Sequence, residues 1–172
     1  MAAPIFNQLE VEQLLEMPKH AAHDAWEDRH NGRNEMQARV PVTPDDKSAF
    51  VQFEVEAYKC PEKNEASFTL IAKSVGRPEQ AICRYEIHIG RHKNLRWMSP
   101  VFVGSKIPHK HIYNEKAVRD DWPWDQCAEP LKFKKSLPRK ISLQQAIDRI
   151  APIFLVEVHL EIYDPNVQTL FR

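Results

Sequence analysis

Between Ala81 and Glu115 the chain carries four of its eight histidines, His88, His92, His109 and His111, together with Arg84 and Glu86. Imidazole titrates near pH ~6.5, so at neutral pH one ring can accept a proton while another gives one. A guanidinium beside them neutralises an anion, and a carboxylate orients a histidine or the arginine. Such a set suits acid–base chemistry on an anionic substrate. RNA brings its own nucleophile, the 2′-hydroxyl, so its cleavage asks only for a base, an acid and a cation. In this reading His92 and His109 are the acid–base pair, Arg84 and Arg91 steady the phosphate, and Glu86 orients a neighbour. His111, Tyr113, His88 and Lys110 are supporting contacts to substrate. The chemistry is a metal-independent ribonuclease reaction and calls for no cofactor.

Two other readings of the same residues stay open. His109 and His111, with His88 or His92 and Glu115, have the ligand types for zinc, iron or manganese. HKHIYNE at 109–115 even matches half of a cupin signature, but the downstream glycines and second histidine motif of that signature are missing. The third reading is no enzyme: a binding module, such as an inhibitor carried by a phage or mobile element, with histidines that only bond across strands. A nucleophilic cysteine is the weakest idea, because Cys83 alternates onto the core side and Cys127 has no base beside it in sequence.

The elements that must position these groups are strands. Ala81, Cys83, Tyr85, Ile87 and Ile89 alternate with Arg84, Glu86 and His88, and Ile107, His109, His111 and Tyr113 share one side of a second run. Side chains on a strand alternate with period 2. Pairing the two runs with polar sides aligned gathers Arg84, Glu86, His88, His109, His111 and Tyr113 on one surface. Upstream, 39–42, 49–58 and 66–74 read as strands joined by turns, a meander rather than βαβ units. Asn7–Met17 reads as a helix ended by Pro18. His20, His23 and His30 fall in a polar segment and read as surface residues. Trp122 and Trp124 flank Pro123 in a long loop that they anchor, and KFKKSLPRK at 132–140 is a solvated basic run. Ser142 and Gln145 form a capping-box pattern ahead of a second helix that Pro152 limits. Val156–Ile162 alternates as a last strand, with His159 on its polar side.

The sum is one α+β domain: a mostly antiparallel, curved sheet of about five or six strands, covered on one face by an N-terminal helix and a late helix. It divides into 1–38 (helix and polar loop), 39–115 (sheet and histidine motif), 116–141 (Trp- and Lys-rich loop) and 142–172 (helix and final strand). Lys plus Arg and Asp plus Glu are equal at 24 each, so no global basic charge points to wrapped nucleic acid. With four glycines, no phosphate-cradling loop is visible. Three isolated cysteines support neither a disulfide scaffold nor a zinc finger. No run is long and apolar enough to span a bilayer, and the N-terminus has no leader pattern, so the expectation is a cytoplasmic protein.

RYE at 84–86, GRHKN at 90–94, IPHKHIYNE at 107–115 and WPWDQCAEPL at 122–131 together resemble the TumE-like toxin family and a related uncharacterised prokaryotic family of mobile or defence-associated loci. The resemblance covers 67–131. It implies a growth-arresting toxin, acting by RNA cleavage and countered by a cognate antitoxin protein. Departures are a longer N-terminal segment, Glu86 where Asp is usual, and the aromatic, basic LRWMSPVFVGSK at 95–106.

Overall fold

Asn7 accepts a hydrogen bond from the Glu10 backbone N–H, and Glu10 accepts one back from the Asn7 N–H at 2.7 Å. This capping box starts α1 (Gln8–Glu16), and Met17 leaves it in extended backbone before Pro18. Lys19 is fully buried and turns its ammonium onto the carbonyls of Leu15 and Met17. Those are acceptors that a helix C-terminus leaves without partners. Burial lowers the Lys19 pKa to about 8.

The computed structural model describes residues 5–21, 27–28, 36–46, 51–60, 65–87, 91–98, 100–104, 107–131, 143–154 and 156–157. After α1 come β1 (Lys19–Ala21), β2 (Glu27–Asp28), β3 (Met36–Pro44), β4 (Val51–Cys60), β5 (Glu65–Ser74) and β6 (Gln80–Ile87). Then follow β7 (His92–Lys93), β8 (Phe102–Val103), β9 (His109–Ile112), α2 (Glu115–Arg119), β10 (Ala128–Pro130), α3 (Leu143–Ile150), a 3-10 turn (Ala151–Phe154) and β11 (Val156–Glu157). The main sheet runs β10-β9-β6-β5-β4-β3-β1-β11, with β2 also on β3. It is antiparallel except for β11, which lies parallel to β1. Its two edges, β10 and β11, do not meet, so the sheet is open. The fold is α+β, as the alternation implies. No helix of the described residues is long and apolar enough to cross a membrane.

The meander β3 to β6 forms because its strands alternate. Val40, Val42, Phe53, Val55, Ala57, Phe68, Leu70, Cys83, Tyr85 and Ile87 are buried in one core, which Val11 and Leu14 of α1 and Ile150 of α3 join. Gly76, at φ +75°, makes the turn between β5 and β6, a conformation that suits glycine.

The main sheet has nine strands, more than five or six. The additions β1, β2 and β10 span two or three residues each, too short to show a period, and β11 is the start of the expected last strand. His20 lies in β1 and pairs with Asp45, so Lys19–Ala21 is strand where the sequence suggested polar loop. The segment after His111 holds α2 and β10, also read as loop. His23, His30, His88, His159, Ile89, the basic run 132–140, Ser142 and most of the expected last strand fall outside the described residues.

Candidate functional site

β6 and β9 pair in the register that the site needs. Arg84 stands opposite His111, and Glu86 opposite His109. The side of β6 that carries Arg84 and Glu86 is thereby the side on which β9 presents its two imidazoles.

His109 has no exposed surface. Its Nδ1 lies 2.8 Å from the Ile107 carbonyl and its Nε2 lies 3.0 Å from Glu86 Oε2. Both partners only accept, so both ring nitrogens donate and the ring is an imidazolium. Burial by itself lowers its pKa, but Glu86 and the Ile107 carbonyl outweigh that and raise it. Burial likewise raises the Glu86 carboxyl, and His109 and His111 together hold it well below the usual carboxylate range.

His111 is buried and donates from Nδ1 to the Asp125 carbonyl at 2.6 Å. Its Nε2 comes within 3.3 Å of Glu86 Oε2, ion-pair range, yet lacks hydrogen-bond alignment and is buried without a partner. Nδ1 is tied to the Asp125 carbonyl, and Nε2 faces the cluster.

His92 enters from a separate piece. β7 and β8 form their own two-stranded sheet, an excursion between β6 and β9. Asn94 docks it: its Nδ2 donates to the Pro100 and Ala128 carbonyls, and its Oδ1 accepts from the Ala128 N–H, each at 2.7 Å. The hairpin sets the His92 ring 4.5 Å from that of His111 and 5.8 Å from that of His109, centroid to centroid. His92 is half-buried, and its Nε2 faces the Gln126 carbonyl at 3.4 Å, which leaves Nδ1 as the acceptor. Burial, then the two neighbouring imidazoles, lower its pKa. One ligand atom from each of His92, His109 and His111 lies within 4.8 Å of the others.

The remaining sequence candidates divide. Arg84 flanks the cluster but is committed to Asp125 at 2.9 Å, with Trp124 stacked on it at 5.2 Å. Arg91 is exposed, over the Phe102 ring at 4.1 Å. Lys110 points to the opposite side of β9 and pairs with Glu129 at 3.2 Å. Tyr113 also departs from the expected surface. β9 stops at Ile112, and Tyr113 packs in the main core with its hydroxyl on the Phe6 carbonyl at 2.8 Å. Glu115 caps the start of α1 from α2, accepting from the Gln8 N–H at 2.9 Å. Cys83 is buried, its thiol pushed up to about 12.

No family model, curated protein or solved structure matches the chain. Four contributors were not singled out from the sequence: Asn94 and the carbonyls of Ile107, Asp125 and Gln126. Asn94 sits inside GRHKN, where an amide able to donate and accept at once is a usable signal. A backbone carbonyl leaves no trace in residue type.

Proposed function

We propose that the protein cleaves RNA at the mouth of this cluster, with His92 as the base. The observation that carries the reading is charge placement. Residues 87–114 hold five Lys and Arg and no Asp or Glu. Of those cations, Arg91, Lys93 and Arg96 are exposed on the hairpin that carries His92. A phosphodiester held there meets cations from a run that carries no carboxylate.

His92 is the one imidazole of the three with exposed surface, and its Nδ1 lone pair is uncommitted. It takes the proton of the 2′-hydroxyl as that oxygen attacks phosphorus. The 5′-oxygen leaves and takes a proton from water, and a 2′,3′-cyclic phosphate remains. His109 is enclosed, so it acts through its charge rather than by touching RNA. Glu86 keeps that charge in place. The reading agrees with the role that the TumE-like resemblance implies, including a cognate antitoxin as partner.

Incubation of purified protein with mixed cellular RNA tests it. Cleavage leaving cyclic phosphate ends, and lost in His92→Ala with the fold intact, is the expected result. A full-rate His92→Ala variant removes the proposal, and no cleavage by any form favours the non-enzymatic binding module.

A further inference from the structure

We infer that His92, His109 and His111 form a binding site for one divalent transition-metal ion of the zinc type. Three observations carry this. The ligand atoms of the three imidazoles lie within 4.8 Å of one another, on β7 and β9, and Asn94 ties the hairpin of β7 to β10, the neighbour of β9. Nδ1 of both His109 and His111 is tied to a backbone carbonyl, which fixes each ring with Nε2 turned inward. That carbonyl tie on the far nitrogen is what ligating histidines usually show. The third observation is the buried Nε2 of His111, which has no hydrogen-bond partner among the described residues.

The spacing suits a small ion. Zinc–nitrogen bonds of ~2.0–2.1 Å place tetrahedral ligands ~3.4 Å apart. Glu86 Oε2 is 3.0 Å from His109 Nε2 and 3.3 Å from His111 Nε2, which is that spacing. The imidazoles need to close slightly, and the half-buried side chain of His92 can turn to do so on its anchored hairpin. Binding displaces the proton on His109 Nε2, so the ion takes over the positive charge that Glu86 now balances. The nitrogen-rich set favours zinc, cobalt or nickel over magnesium or calcium.

This goes beyond the reading of His92 as a base. A ligated His92 has no lone pair to accept a proton, so the filled site and that base exclude each other. The metal is then a switch on RNA cleavage.

Titration of full-length, chelator-stripped protein with Zn2+ and with Co2+ tests the site by calorimetry and by the visible spectrum of Co2+. The expected result is one ion per chain, with the intense bands of tetrahedral cobalt. His92→Gln should weaken binding at least ~100-fold, and Glu86→Gln ~10–100-fold. His92 lies outside the core, and circular dichroism confirms that its variant folds. Absence of saturable one-to-one binding, or equal affinity in His92→Gln, overturns the inference. Cleavage that a chelator enhances agrees with the switch. Cleavage that a chelator abolishes leaves the metal site standing and removes His92 as the base.

Discussion

Replacing Glu86 with glutamine keeps the volume of the side chain and one acceptor oxygen, and removes the charge facing His109. Glu86 is nearly enclosed, and His109 donates to it at 3.0 Å. A hydrogen bond between charged partners contributes about 1.5–3 kcal/mol, and a neutral one about 1 kcal/mol. His109 has a raised pKa, so its contribution is complete below the ordinary value of 6.5 and is lost as pH rises through the folded value. Glu86 has a depressed pKa, so its contribution is present above the ordinary value of 4.5 and is lost as pH falls through the folded one. The pair therefore stabilises the fold most between those two ordinary values. Urea denaturation of wild type and Glu86→Gln at pH ~5.5 and pH ~9 reads the difference. We expect a loss of about 2–3 kcal/mol at the lower pH and about 1 kcal/mol at the higher, on the same principle. Equal losses at both, with an NMR titration placing the folded His109 pKa between the two pH values, would falsify the assignment of His109 as an imidazolium.

Asn94→Ala removes three hydrogen bonds from a buried amide and leaves an Ala128 N–H without its partner. The cost is about 1–3 kcal/mol in the same denaturation assay, and the His92 NMR resonance should move; a silent variant would show that the hairpin is held by other contacts. Arg91→Ala with Lys93→Ala should weaken binding of a short oligoribonucleotide and lower its salt slope by about 2, measured by fluorescence anisotropy at several salt concentrations. An unchanged slope places the phosphate elsewhere. Cys83, with its thiol raised to about 12 by burial, should resist alkylation at pH 8 in native protein and react after unfolding, as mass mapping would read.

Much of this site was legible because strand alternation is a strong signal. Cys83, Tyr85 and Ile87 against Arg84 and Glu86 declare the two sides of β6, and His109 with His111 declares one side of β9. The same rule puts Lys110 on the other side of β9, against the expectation that it contacts substrate beside His109 and His111. Alternation fails where backbone is irregular. The register shift opposite Leu70 and Ile71 puts both Ile82 and Cys83 in the core and leaves Ala81 half-buried. Tyr113 follows the end of a strand, and its N–H goes to the Ile82 carbonyl in that same irregular stretch. The β7–β8 hairpin has two residues per strand, so no periodicity announced that His92 would fold back onto the sheet. The expected pairing of His92 with His109 rested on residue type, and only the docking of Asn94 gives it a distance.

Every group described at the cluster, from Arg84 to Gln126, comes from one unbroken run of chain. The excursion that carries His92 leaves from the strand bearing Glu86 and returns into the strand bearing His109. Assembling such a centre needs only short loop closures, whose entropy grows slowly with length. Its parts therefore meet through short-range contacts as the chain folds. The cluster is in that sense a transferable cassette, held by two neighbouring strands and one asparagine.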